Sequence, residues 1–222
     1  MSAEVYPVFL RLEGRRVVLV GGGRVATGKL AGLLAAGAHV TVIAPQIRAE
    51  LEQASVTLLR RPFAPADLDG ASFVVAAAPP EVNRAVADAA GARGLFVNAV
   101  DDAASASALL GGVVRRGGAT VAVSTGGRAP ALAGLLREAL EAVLPDDLGA
   151  WVEIGERARA GWKQRGLAMG ERLQGDQRAQ HRLRPLAAAF RPVGLSPFVP
   201  PCARLFDRAG RIGGLRDAPE RR

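Results

Sequence analysis

The stretch from Arg16 to Ile43 restricts the possible folds of this chain more than any other. Val17-Val18-Leu19-Val20 is a short aliphatic run suited to a buried strand, and Gly21-Gly22-Gly23 breaks it. A helical pattern follows through Ala36, Gly37 ends it, and His39-Val40-Thr41-Val42-Ile43 supplies a second strand of mainly β-branched residues. Strand, tight turn, helix and strand in that order make a βαβ unit, whose strands lie parallel. Within it, Gly21-Gly22-Gly23-Arg24-Val25-Ala26 fits the pattern G-x-G-x-x-[GA]. Gly21 permits the turn, Gly23 lacks the Cβ that would block a pyrophosphate, and Ala26 is small enough for the helix to pack on the strand. The diphosphate of a dinucleotide would then sit on the helix N-terminus. A Walker phosphate loop does not fit, because Lys29 is followed by Leu30 rather than Ser or Thr.

In such a unit the second strand usually ends in a carboxylate that grips the adenosine ribose. Here it runs on as Ala44-Pro45-Gln46, so backbone groups or Gln46 must hold the ribose and the choice between NAD and NADP stays open. Arg48 is a candidate partner for a 2′-phosphate, although a surface helix position explains it more simply.

Further strand-like segments lie at Val56-Thr57-Leu58-Leu59, Phe73 to Ala77, Leu95 to Asn98 and Ala119 to Val123. Glu81 to Ala90 is a helical pattern with Val82, Ala85, Val86 and Ala89 on one face. Alternating strands and helices predict an α/β fold with a mostly parallel sheet covered on both faces. After Pro130 the character is helical, with Leu132, Leu135, Leu136, Leu140 and Val143 at helical spacing, and a second helical region runs from Asp147 to about Phe190. The stretch beyond Arg191, rich in Pro, Gly and Arg, has no sustained period and reads as irregular.

Composition narrows the chemistry. One cysteine, Cys202, excludes an internal disulfide and any multi-cysteine zinc or iron-sulfur site, so no protein-held metal is expected. The formal charge of +8 favours an acidic partner. With 5% aromatic residues and no helix-turn-helix or zinc pattern, nucleic acid ranks below a polycarboxylate or phosphate-bearing small molecule. The N-terminus lacks the features of a secretory signal, and no apolar run approaches the roughly eighteen residues of a membrane helix. A cytoplasmic protein without membrane contact is the expectation.

Few residues are available to handle a proton beside a nicotinamide. Tyr6 is the sole tyrosine, which removes the Tyr-x-x-x-Lys pair of short-chain dehydrogenases, and His39 and His181 sit in a strand and in the helical region. Asn98-Ala99-Val100-Asp101-Asp102 stands at the C-terminal end of a strand, where ligands of such sheets bind. A carboxylate there either caps the next helix or does chemistry, and the pattern admits both. Ser124-Thr125-Gly126-Gly127-Arg128-Ala129-Pro130 is another strand-to-helix turn, with Pro130 suited to the first helical position. Its backbone N–H groups, Thr125 and Arg128 form a candidate carboxylate cradle, and an ordinary glycine connection is the alternative.

Four stretches, taken in order, resemble one family. They are Tyr6-Pro7-Val8-Phe9-Leu10, Val20 to Ala26 with Lys29, Asn98 to Asp102, and Val123 to Ala133. The chain resembles the precorrin-2 dehydrogenase and sirohydrochlorin ferrochelatase enzymes of siroheme synthesis, which occur alone or as the N-terminal half of siroheme synthase. The likeness is strong over residues 5–145, weaker to about 190 and absent beyond. It implies an NAD-binding Rossmann domain over 1–112, a dimerisation region over 113–145, a helical domain over 146–190, a tail over 191–222 and a homodimer. It also implies that NAD⁺ takes a hydride from the tetrapyrrole precorrin-2 to give sirohydrochlorin, with Fe²⁺ or Co²⁺ as a further substrate for insertion.

On this resemblance Asp101 is the catalytic residue. Gly21, Gly23, Arg24, Val25 and Ala26, with Pro45 and Gln46, hold the dinucleotide, and Asn98, Thr125, Gly126, Gly127 and Arg128 line the tetrapyrrole side. Two stretches depart from the family pattern: Ala78-Pro79-Pro80 stands where Thr-Asp-Asp is usual, and Ala108-Leu109-Leu110-Gly111-Gly112 where an aromatic and a proline are usual. Both touch the rim of the expected site. The rival reading is an NAD(H)-sensing regulatory module that does no chemistry.

Overall fold

The computed structural model describes residues 4–166. Its first seven elements after an extended N-terminal segment are β1 (Arg16–Val20), α1 (Arg24–Ala35), β2 (His39–Ile43), α2 (Ala49–Glu52), β3 (Thr57–Leu59), a 3₁₀ turn at Pro65–Leu68 and β4 (Phe73–Ala76). Then come α3 (Pro80–Gly91), β5 (Val97–Ala99), β6 (Gly112–Arg116), β7 (Ala119–Val123), α4 (Pro130–Val143) and α5 (Leu148–Gln164). Strands β1 to β5 form a parallel sheet in the order β3-β2-β1-β4-β5. The order reverses between β1 and β4, and that switch point opens a crevice at the C-terminal strand ends.

Strand alternation builds two cores. Val17 and Leu19, with Val40, Val42, Phe73 and Val75, face the α1 layer with Ala26, Leu30 and Leu33. Val18 and Val20, with Ile43, Val74, Ala76 and Val97, face the α3 layer with Val86, Ala89, Ala90 and Leu68. Burial of each such aliphatic or aromatic side chain contributes about 1.5–3 kcal/mol, and cover on both faces is what a parallel sheet requires.

Three local expectations are corrected. The strand expected at Leu95 to Asn98 runs instead at Val97–Ala99. Gly94 has φ +66° and the Leu95 N–H returns to the Ala90 carbonyl at 2.9 Å, so Leu95 belongs to the turn that ends α3. On α3 the buried positions are Asn83, Val86, Ala89 and Ala90, whereas Ala85 is exposed. An asparagine takes the inward place because two backbone groups there need partners. Finally, β7 does not join the parallel sheet. It pairs antiparallel with β6, which the sequence reading missed, in a separate two-stranded sheet. Gly117 and Gly118, at φ +53° and +80°, supply the positive dihedrals of a tight hairpin turn.

Among the described residues, those up to Ala142 with Asp146–Val152 form one packed unit, and Val143–Pro145 with 153–166 belong to a second. The helical region expected from 146 begins as α5. Residues 167–190 of it, and the tail over 191–222, lie outside the described residues.

One polar cluster anchors the loop before β4. The Asp67 carboxylate, 8% exposed, accepts both ends of the Arg61 guanidinium at 2.8 and 2.5 Å and the Ala64 N–H at 2.8 Å. The Arg61 hydrogen bonds hold its pKa below the usual aspartate value, against the opposing effect of burial. A depressed carboxylate stabilises the fold above its unfolded pKa and loses that contribution as pH falls through the folded one. Asp67→Asn is therefore expected to cost about 1–2 kcal/mol at neutral pH. Melting temperatures from pH 7 down to about 3 check this, because the gap to the parent should close below about pH 4.

Candidate functional site

The glycine turn sits at the switch point. Gly21 has φ +127°, and a Cβ on it would fall on the Ala77 carbonyl; a Cβ on Gly22 would fall on the Gln46 carbonyl. The Gly21 N–H donates to the Ile43 carbonyl at 2.9 Å, and the Arg48 N–H donates to the Gly22 carbonyl at 3.0 Å. The turn is therefore wedged between the ends of β2 and β4. Gly22 is a steric requirement that the spacing pattern G-x-G-x-x-A leaves unmarked.

Gly23 differs from both, for a Cβ there would meet no atom within 4 Å and its backbone, φ −92° and ψ −173°, suits any residue. It is the N-cap of α1, without a side-chain cap, and the first turn of α1 carries no acidic residue. Uncapped N–H groups, a positive helix end and open space where a Cβ would project suit a pyrophosphate. Arg24 and Val25 are exposed beside it, and Ala26 is fully buried against the sheet. Pro45 and Gln46 are exposed on the same rim, Gln46 in backbone contact with the glycine turn. The sequence-expected dinucleotide residues thus share one crevice. The Arg48 guanidinium is ion-paired to Glu50 at 2.7 Å on the surface, as a helix-flanking residue would be.

Asp101 follows β5 at the same edge of the sheet. It is the one non-glycine residue with positive φ, +59°, among the described residues. Its carboxylate is exposed and makes no hydrogen bond or ion pair among the described residues. No helix follows Asp102 for it to cap; it closes a turn instead, and Ser105 holds its pKa down through the hydroxyl and through the N–H, which reaches Oδ1 at 3.1 Å. The two adjacent carboxylates are thereby divided, one closing the turn and one left available.

Asn98, 6% exposed, donates through Nδ2 to the Ala108 carbonyl at 2.9 Å, while its Oδ1 is buried without a partner. The N–H groups of Ser107 and Ala108 donate to the Val97 carbonyl at 3.0 and 2.9 Å, and the Ser107 hydroxyl accepts from the Val97 N–H at 2.9 Å. Residues 107 and 108 thus close the free edge of β5. This places Asn98 under the loop as a support for it, rather than among the exposed residues that the sequence grouped on the tetrapyrrole side.

The turn between β7 and α4 reaches the Asp101 loop, because a Cβ on Gly127 would touch the Ala103 Cβ at 3.2 Å. Gly126 and Gly127 have φ +64° and +76°. The cradle is narrower than the sequence suggests. The Gly126 N–H is used by the Ser124 hydroxyl, the Arg128 N–H by the Thr125 carbonyl and the Ala129 N–H by Thr125 Oγ1. What remains for a carboxylate among the described residues is the Gly127 N–H, the Thr125 hydroxyl proton and the exposed Arg128 guanidinium, of which Nε already contacts the Thr125 carbonyl at 3.3 Å. Among the described residues no group of three or more His, Cys, Asp or Glu is placed to hold a metal ion, and no helix is long and apolar enough to cross a membrane.

Comparison with known proteins gives two family matches. Residues 8–112 match the family described as putative NAD(P)-binding, and residues 116–142 the sirohaem biosynthesis protein central family. Among individual relatives, siroheme synthase 2 of Aeromonas hydrophila is 45% identical over 159 residues, which is 70% of this chain and 34% of that protein. Siroheme synthase 2 of Aeromonas salmonicida is 46% identical over 164 residues, 72% of this chain and 34% of that one. The chain thus spans about a third of the length of the curated relatives it matches. Among solved structures, the precorrin-2 dehydrogenase SirC has a TM-score of 0.62 at 23% identity, covering 83% of this chain and all of that one, and shares its fold. The resemblance read from the four sequence stretches is borne out, as is the parallel α/β sheet.

Proposed function

We propose, from the match of residues 8–112 to a putative NAD(P)-binding family and of residues 116–142 to the sirohaem biosynthesis central family, that the chain oxidises precorrin-2 to sirohydrochlorin with NAD⁺. The observation that carries this reading is the Asp101 carboxylate after the end of β5, unpartnered among the described residues and on the same sheet edge as the uncapped N-terminus of α1. Gly21, Gly23, Arg24, Val25 and Ala26 hold the dinucleotide from the α1 side, and Pro45 and Gln46 hold it from the β2 side. When bound, the nicotinamide supplies the hydride acceptor. Asp101 accepts the proton that leaves the macrocycle as the hydride departs, and its freedom from internal hydrogen bonds keeps both oxygens available for that step. Thr125 and Arg128 orient the substrate by its carboxylates, with Gly126 and Gly127 allowing the close approach.

The test is an anaerobic assay that supplies precorrin-2 with NAD⁺ or NADP⁺ and follows sirohydrochlorin absorbance. Oxidation that requires NAD⁺ supports the dehydrogenase; binding of NAD(H) without oxidation above the enzyme-free rate favours the sensing module. Addition of Fe²⁺ or Co²⁺ to the product asks whether Asp101 also takes pyrrole N–H protons during metal insertion.

The working assembly in this reading is a homodimer formed through residues 113–145. Leu132, Leu135 and Leu136 make an exposed apolar stripe on α4, which a second copy of the chain would cover. Leu135→Arg is expected to convert a dimer to a monomer in analytical ultracentrifugation while leaving NAD⁺ affinity unchanged. A variant that sediments as the parent does removes α4 from the interface.

A further inference from the structure

Asn83 is 3% exposed on an otherwise apolar face of α3 and was not singled out as functional in the sequence. Both ends of its amide are used, and on different loops. Oδ1 accepts the Ala78 N–H at 2.9 Å, and Nδ2 donates to the Val100 carbonyl at 3.3 Å. Pro79 and Pro80 carry no N–H, so Ala78 offers the last donor before α3, and the Asn83 side chain takes it. Val100 is held from two sides, since its own N–H donates to the Ala76 carbonyl at 2.9 Å. The next residue is Asp101 at φ +59°.

These contacts connect the two halves of the site. The Ala77–Ala78 backbone is the surface on which Gly21 turns, because a Cβ on Gly21 would fall on the Ala77 carbonyl with the Ala78 nitrogen close behind. Val100 carries Asp101, whose carboxylate has no partner among the described residues to fix it. One side chain therefore ties the cofactor-side turn to the backbone that presents the acid. The amide supplies an acceptor and a donor at the two ends of a short span without having to change its protonation.

We infer that Asn83 is a positioning residue for the reaction: it sets the place of the Asp101 carboxylate relative to the dinucleotide turn. The inference rests on the proposed role of Asp101. Its consequence is a loss in turnover without a loss in cofactor binding, because a small misplacement of an acid or base costs rate while leaving the glycine turn intact.

The experiment is a double-mutant cycle in the full chain between Asn83→Asp and Asp101→Asn. Aspartate at 83 keeps the acceptor for Ala78 and turns an oxygen toward the Val100 carbonyl. Asn83→Asp should lower kcat roughly 10- to 100-fold with the KM and direct-binding Kd for NAD⁺ changed less than about twofold. In the Asp101→Asn background the same exchange should change the residual single-turnover rate less than about twofold. Amide hydrogen exchange at Val100 to Asp102 should quicken in Asn83→Asp in both backgrounds.

An equal loss in both backgrounds would reduce Asn83 to a structural residue and overturn the inference while leaving Asp101 in place. Unchanged kcat in both Asn83→Asp and Asn83→Ser would overturn it directly, because a protonated carboxyl at 83 could keep both hydrogen bonds and the serine hydroxyl cannot. Near-normal turnover in Asp101→Asn alone would instead remove Asp101 from the mechanism, and this inference with it. If Asn83→Asp does not fold, Asn83→Ser retains a hydroxyl and loses the reach to Val100, so the same cycle can be run with it.

Discussion

With Asp101 as the proposed general base, Asp101→Asn is expected to lower turnover of precorrin-2 by about 10²- to 10⁴-fold, the usual worth of such a group, while thermal stability and NAD⁺ affinity stay at the parent level. Asparagine is the informative replacement because of the backbone. Asp101 sits at φ +59°, a left-handed conformation that Asp and Asn adopt more readily than other side-chain-bearing residues. Alanine there would add backbone strain on the order of 1–2 kcal/mol, and its loss of activity could not be separated from a shifted loop. The carboxylate makes no internal hydrogen bond among the described residues, so its neutralisation orphans no partner. The controls are steady-state kcat, a thermal melt and NAD⁺ binding on one preparation. Turnover near that of the parent would exclude Asp101 as the base.

The second large effect contrasts two glycines two positions apart. Gly21→Ala is expected to destabilise the chain by about 3 kcal/mol, because it combines a positive φ with a Cβ that runs into the Ala77 carbonyl. Gly23→Ala should leave the melting temperature of the free protein unchanged, since its backbone is extended and its Cβ would stand in open space. That open space is where the proposed reading puts the pyrophosphate, so Gly23→Ala should weaken NAD⁺ at least tenfold, or about 1.4 kcal/mol. Calorimetric melts with and without NAD⁺ check both arms. Unchanged NAD⁺ affinity in Gly23→Ala would show that the diphosphate lies elsewhere.

The linear sequence alone specified the βαβ unit, the glycine turn and the placement of Asp101 after a strand. Those features rest on local causes: β-branched runs, helical periodicity over Arg24 to Ala35, and glycines at forced turns. The relation to siroheme enzymes was legible too, because four short motifs kept their order. Tertiary structure decided what depends on contacts between distant segments. It showed that Gly22 is required by the Gln46 carbonyl, a constraint from packing against the end of β2. It moved β7 out of the parallel sheet, because the dihedrals at Gly117 and Gly118 fold it back on β6.

The same holds for polar residues with two plausible roles. Asp101 and Asp102 are equivalent as letters, and only the position of Ser105 makes Asp102 the one that closes the turn. Asn98 read as a substrate contact is seen as an edge support because Ala108 returns to β5. Asn83, hidden inside a helical pattern, became visible only when Ala78 and Val100 were found at the two ends of its amide. Periodicity reports which residues are apolar and how they repeat. Which buried polar group finds which partner is set by the approach of segments far apart in the chain, and that is a property of the folded molecule.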